Sequence, residues 1–194
     1  SAASDVYKRQ LPNVIVMHPS DIISTKLLTM QLADAGSPSY TRTARNKTPV
    51  LYEGRENDIQ IGKGIVLLDG EDVAIIACGV MVSESLKAAE VLAEEGVNAT
   101  VVDMHTLKPL DGALVDRLAN KCGAIVTAED HNVIGGLGGA VAEHLTANKF
   151  APLERVGVQD RFGESGQADE MLDVMKISSR YIADAAMRAI ARKA

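Results

Sequence analysis

The sequence predicts an α/β protein, a three-layer and mostly parallel sheet with helices on both faces, preceded by a partial β-α-β unit. Three observations predict it. From Asp72 onward, short apolar runs alternate with helical stripes and turn residues, the pattern of strands joined by crossover helices. Runs such as VAIIACG (73–79) show no polar alternation, as expected of strands covered on both faces. The stretch 123–145, GAIVTAEDHNVIGGLGGAVAEHL, reads as a strand (Ala124 to Thr127), a polar turn (Ala128 to Asn132) and a glycine cluster opening a helix at about 137–148. Gly135, Gly136, Gly138 and Gly139 fall where the chain must turn and pack a helix on the strand it has just left.

Taken in order, residues 1–10 (SAASDVYKRQ) show neither a strand nor a helix period and read as a non-native leader. PNVIVM (12–17) is an apolar strand, and Ser20 or Asp21 caps a helix whose stripe is Ile22, Ile23, Lys26, Leu27, Met30 and Leu32. Gly36 and Pro38 break it, and SYTRT (39–43) is a second strand. Two strands and one helix cannot bury both sheet faces, so 11–45 reads as part of a larger domain with an exposed strand edge. The polar stretch 46–61 reads as an interdomain linker, and 62–194 as a complete second domain. Within it, GKGIVLL is an edge strand closed by an Asp69-Gly70 hairpin signal, and SESLKAAEVLAEEG (83–96) is a helix capped by Ser83. NATVVDM (98–104) is a strand, and LDGALVDRLANKCG (110–123) a helix with Asp111 near its start. LERVGV (153–158) is the last strand, and SSRYIADAAMRAIARK (178–193) a long amphipathic helix.

The net charge of −6 excludes a nucleic-acid footprint. No apolar run approaches the ~18 residues of a membrane span and no signal peptide is visible, so a cytoplasmic protein is expected. Trp is absent and Phe150 and Phe162 are the two phenylalanines, so the core must be aliphatic. Cys78 and Cys122 follow no metal spacing, and His18, His105 and His144 read as isolated turn or surface residues that make no metal set.

Four constellations could carry chemistry. GGLGG could cradle a phosphate at a helix N-terminus, but the spacing is not that of a dinucleotide fingerprint, and close helix–strand packing explains it as well. Glu129-Asp130-His131 could tune an acid–base group, but no nucleophile lies nearby in sequence, which favours a structural or interface role. Arg42 and Arg45, in YTRTAR at a strand end, could bind a phosphate as a fork or form surface ion pairs. DRFGESGQ (160–167) is either a simple turn or a loop kept for something that packs on it.

PNVIVMHPSD, YTRTAR, IGKGIVLLDGEDVAIIACG, VVDMHTLKPLD, AEDHNVIGGLGGAVAE and VGVQDRFGESG, in this order and spacing, resemble the C-terminal part of transketolase. Deoxyxylulose-phosphate synthase and the β subunit of 2-oxo-acid dehydrogenases share parts of the pattern. The resemblance implies that 11–45 is the end of a pyrimidine-binding domain and 62–194 a transketolase C-terminal domain. It implies two-carbon ketol transfer between sugar phosphates, with thiamine diphosphate and Mg2+, in a dimeric intact enzyme of the pentose phosphate pathway. Arg45 matches the family's substrate-phosphate arginine, with Arg42 the weaker candidate. Glu129, Asp130, His131, Gly135, Gly136 and Gly138 take structural or interface roles. The catalytic glutamate and the cofactor and metal ligands of the family lie upstream of Leu11. The resemblance therefore implies a truncated, inactive chain that binds no cofactor alone and needs an N-terminal section or subunit. VMKISSRYI departs from the family, which has a Gly-containing turn there. The parent could be split or single-chain. The alternative is a non-catalytic assembly or dimerisation module of a related thiamine-dependent complex.

Overall fold

The computed structural model describes residues 3–45, 47–148 and 150–193, with side chains from Tyr7 onward. The first two residues of the expected leader, the first residue of the expected linker (Asn46) and the C-terminal Ala194 lie outside the described residues. The elements are α1 (Ala3–Gln10), β1 (Ile15–Met17), α2 (Ile22–Asp34), β2 (Ser39–Thr41), a 3-10 turn (Glu56–Asp58), β3 (Ile65–Leu68), β4 (Val73–Ala77) and α3 (Met81–Glu94). They continue with β5 (Ala99–Asp103), β6 (Thr106–Lys108), α4 (Gly112–Cys122), β7 (Ile125–Asn132), α5 (Leu137–Asn148), β8 (Leu153–Val158), α6 (Ala168–Val174) and α7 (Ser179–Ile190).

The main sheet has strand order β3-β5-β4-β7-β8, with β4, β5, β7 and β8 parallel and β3 antiparallel at one edge. Side chains alternate across a strand, and both faces here need apolar cover. Val73, Ile75 and Ala77 enter the core under α3 and α7, while Ala74, Ile76 and Cys78 enter the core under α4 and α5. That is why β4 is an unbroken apolar run: each face takes every second residue. Val126 and Ile125 divide in the same way in β7. The three-layer α/β architecture is as the sequence predicts.

Several expectations are corrected. Residues 3–10 form a helix, tied down by Arg9, which donates to the Gly135 carbonyl (2.8 Å) and pairs with Glu143 (2.7 Å). The Asp69-Gly70 turn makes no hairpin: β3 pairs with β5, and the turn carries the chain to the sheet centre. It is pinned by Gly70, whose N–H donates to Thr100 Oγ1 (2.9 Å) and whose missing Cβ leaves room for the Asn98 backbone. The polar turn expected at 128–132 is the outer half of β7. α3 begins at Met81 rather than at a Ser83 cap, and the Ser83 hydroxyl bonds back to Val80 O (2.9 Å). The buried residues of α2 are Ser24 and Leu28, whereas Ile22 and Met30, placed on the predicted stripe, are exposed. The cap itself is as expected: Asp21 and Ser24 form a capping box.

The early segment also does not stand apart. β1 is the middle strand of a second sheet, β2-β1-β6, parallel to β2 and antiparallel to β6. Val14 and Val16 join the core beneath α4 and α5. The expected linker contributes Tyr52 and Ile59, both buried, to a third cluster with Met17, Leu28 and Ile65. The portion after Gly62 thus shares a sheet and two apolar clusters with the early segment, and β1 has a partner on each side.

The glycines at the start of α5 supply a direct test of packing. A Cβ on Gly136 would lie 2.0 Å from Glu129 Oε2, whereas one on Gly139 would meet only side-chain ends, Arg9 at 3.5 Å and Glu143 at 3.9 Å. Gly136→Ala is therefore expected to lower stability by about 1–3 kcal/mol. Gly139→Ala, inside the helix, should raise it by about 0.5–1 kcal/mol. Urea unfolding of the two variants checks both signs.

Candidate functional site

In an open parallel sheet, ligands bind at the carboxyl ends of the strands where the strand order reverses. Here the chain leaves β4 for β5 on one side and later returns to β7 on the other, so that crevice opens beyond Ala77 and Ala128. It is filled from within. Gly79, just past β4, has φ +57 and donates its N–H to the His18 carbonyl (3.0 Å). A Cβ there would lie 2.1 Å from His18 Cε1. Only glycine supplies both the conformation and the space.

Asp130, in the outer half of β7, faces this plug. Arg42 grips it as a fork, Nη1 to Oδ1 at 2.5 Å and Nη2 to Oδ2 at 2.9 Å. His18 Nδ1 lies 3.6 Å from Oδ1. Burial pushes the Asp130 carboxyl up, but the His18 imidazole and the Arg42 guanidinium outweigh it and hold the carboxyl below its ordinary range. Asp130 and Arg42, predicted separately as site residues, thus form one cluster with His18, which reads in the sequence as an isolated turn residue.

The glycine-rich cradle is occupied by a side chain of the same polypeptide. Glu129 is fully buried, its Oε2 accepting from Leu137 N (2.6 Å) and its Oε1 from Gly138 N (2.9 Å). It satisfies two of the amides that the start of α5 leaves without a partner in the helix. His131 Nε2 lies 3.2 Å from the same carboxylate. Gly135, at φ +77, turns the chain into the helix, and the Gly135 and Gly136 carbonyls accept from Arg9.

A second buried network escaped sequence reasoning. Asp103 Oδ2 accepts from Ser20 Oγ (2.5 Å) and Tyr52 OH (2.7 Å), and its Oδ1 has no hydrogen-bond partner among the described residues. Asp21 accepts through Oδ1 from Ser24 N (2.7 Å) and through Oδ2 from Leu51 N (2.9 Å). The one available signal was Tyr52, an aromatic residue within an otherwise polar stretch. His105, two residues after Asp103 in the chain, is fully buried with Nδ1 2.9 Å from Thr106 Oγ1.

What stays open is a groove of about 830 Å³ at the carboxyl ends of β7 and β8. Residues 42–45 form one wall, and the 161–166 loop and α6 the other. Arg42 is committed to Asp130, and Arg161 to Glu164 and the Val174 carbonyl. Arg45 is exposed on the groove wall and makes no ion pair among the described residues. The 160–167 loop therefore borders the groove rather than being a plain turn. Among the described residues no group of three or more His, Cys, Asp or Glu could hold a metal ion, and no helix is long and apolar enough to cross a membrane.

Residues 62–182 match the family model of the transketolase C-terminal domain. Over 177 residues the chain is 42% identical to a protein of Methanocaldococcus jannaschii described as a transketolase C-terminal section, covering 90% of this chain and 55% of the relative. It is 40% identical over 185 residues to the 6-deoxy-6-sulfo-D-fructose transketolase subunit SqwH of Clostridium sp., covering 95% and 57%. Among solved structures, a split-gene transketolase, described as an inactive β4 tetramer, superposes with a TM-score of 0.96 at 38% identity, covering 100% of this chain and 63% of that one. The chain spans little more than half the length of these two relatives and about 30% of the 1-deoxy-D-xylulose-5-phosphate synthases it also matches.

The buried network makes a prediction about pH. Burial pushes the Asp103 carboxyl up from its ordinary 3.8 to about 7 and the His105 imidazole down from 6.5 to about 4. Folded Asp103 keeps a proton that the unfolded chain releases, so its contribution falls as pH rises from 3.8 to about 7. Folded His105 refuses a proton that the unfolded chain accepts, so its contribution falls as pH drops from 6.5 to about 4. The slopes oppose each other, each at most about 1.4 kcal/mol per pH unit. In Asp103→Asn the carboxyl slope disappears, so the stability of the variant relative to the parent should climb with pH across this window. Urea midpoints measured at half-unit intervals of pH check it, and a constant difference would contradict it.

Proposed function

Because this chain belongs to the transketolase C-terminal domain family, we propose that it is the C-terminal section of a transketolase whose N-terminal section is a separate polypeptide or segment. In this reading the assembled enzyme transfers a two-carbon ketol unit between sugar phosphates. The observation that carries it is the likeness to the split-gene transketolase over the whole of this chain, a protein whose tetramer of β chains is described as inactive. The relatives that are themselves transketolase sections or subunits support the same assignment.

The chain's own contribution is binding and architecture. Arg45, on the wall of the groove, holds the substrate phosphate. Its guanidinium can engage two phosphate oxygens at once. Arg42, the second candidate from the sequence, is spent on Asp130 and serves the structure instead. The residues here do not fit the diphosphate of thiamine diphosphate, since the one glycine-rich cradle is filled by Glu129. We therefore place the cofactor, its Mg2+ and the catalytic glutamate on the N-terminal section and its dimer contacts. The outer edge of β2, which ends the smaller sheet, is where that section would continue the fold. No catalytic residue is assigned to this chain.

The test is reconstitution. This chain is assayed alone and in combination with the N-terminal section, given thiamine diphosphate, Mg2+ and a ketose phosphate donor. Turnover is expected only from the combination. Arg45→Ala should raise KM for the phosphorylated donor about 10- to 100-fold, as loss of a charge-assisted hydrogen-bonded pair does. Turnover by this chain alone, or a KM indifferent to Arg45, would overturn the reading.

A further inference from the structure

The residue proposed to hold phosphate sits three positions from a fixed point. The Arg42 N–H donates to Met17 O (2.9 Å), so the β1–β2 ladder continues one residue past β2. The Arg42 guanidinium then forks onto both oxygens of Asp130 at 2.5 and 2.9 Å. Both side chains are about one-fifth exposed, which shields the pair from solvent more than a surface ion pair. His18, almost fully buried, approaches the same carboxylate, with Nδ1 3.6 Å from Oδ1. Backbone and side chain of Arg42 are therefore both anchored, one in the small sheet and the other on β7 of the main sheet. Thr43, Ala44 and Arg45 leave that anchor and line the groove.

We propose that Asp130 is a positioning residue for substrate phosphate: its fork with Arg42 fixes the 42–45 segment that presents Arg45 to the groove. This rests on the reading of Arg45 as the phosphate-binding group. It gives the C-terminal domain a share in substrate affinity without any contact to substrate. Two physical arguments support it. A bidentate arginine–carboxylate pair sets orientation as well as distance, and a displacement of about 1 Å in a binding group is enough to weaken a complex severalfold or more. The pair also cancels the charge of Arg42, so the net positive charge of the 42–45 wall is that of Arg45.

The test uses the intact assembly, this chain together with its N-terminal section. Asp130→Asn is expected to raise KM for the phosphorylated donor about 5- to 10-fold while kcat stays within about twofold, the pattern of lost uniform binding. KM for a ketol donor without phosphate should not move. Asp130→Glu, which keeps the carboxylate, should recover most of the loss. A merely structural role would instead lower the active fraction and leave both KM values alone. If Asp130→Asn fails to assemble, Arg42→Lys keeps the charge, loses the fork and should show the same shift. An unchanged KM in both variants, or a lower one because the released Arg42 joins Arg45, overturns the proposal while Arg45→Ala still raises KM. If Arg45→Ala leaves KM unchanged, the phosphate reading falls and this proposal falls with it.

Discussion

Where β4 ends, the backbone of Gly79 comes within 3.0 Å of the His18 carbonyl, and the imidazole of His18 occupies the space a side chain would need. That approach constrains everything around it. It brings β1 over the carboxyl end of the main sheet, which places β6 alongside β1 and the Arg42 end of β2 beside Asp130. It also removes the crevice in which parallel sheets of this type bind their ligands. The fold keeps the architecture of a ligand-binding sheet but closes the usual place, and the open groove is displaced to β7, β8 and α6.

The polar groups buried by this closure are handled in two ways. Asp130 is held low by a guanidinium and an imidazole, and Glu129 is met by two backbone amides. Asp103 has only neutral hydroxyl donors, from Ser20 and Tyr52, and burial raises its carboxyl accordingly. All of these carboxylates stand at strand ends, where β5 and β7 run out of the apolar layers. They join chain segments far apart in sequence: the α2 cap, the stretch before β3, and β5. The apolar layers need no such devices because aliphatic side chains fill both faces of the sheet.

The sequence makes legible whatever is periodic or local. β4 declares itself by an apolar run that serves two faces, and α2 and α4 by Asp21 and Asp111 at their N-caps. What stayed hidden depends on distant partners. β6 is three residues long and exists because β1, some ninety residues earlier, pairs with it. The outer half of β7 looks like a turn because its residues are Glu129, Asp130 and His131, and their partners (the α5 amides, Arg42 and His18) are not neighbours in sequence. The false hairpin at Asp69-Gly70 has the same origin: β5 competes for β3 and wins it. Of the site, the two arginines and the Glu129-Asp130-His131 triplet are visible as residue types. Their division of labour, with Arg42 clamped and Arg45 exposed, is not, because it depends on which of them meets Asp130.

The carboxylate of Glu129 at the start of α5 has one more consequence. A helix beginning with a glycine cluster ordinarily leaves its first amides to solvent or to a bound anion, and its order then varies with what the medium supplies. Here two of those amides are already saturated by a group covalently part of the same polypeptide. The start of this helix is therefore insulated from buffer composition: phosphate or sulfate in the surroundings finds those two donors taken.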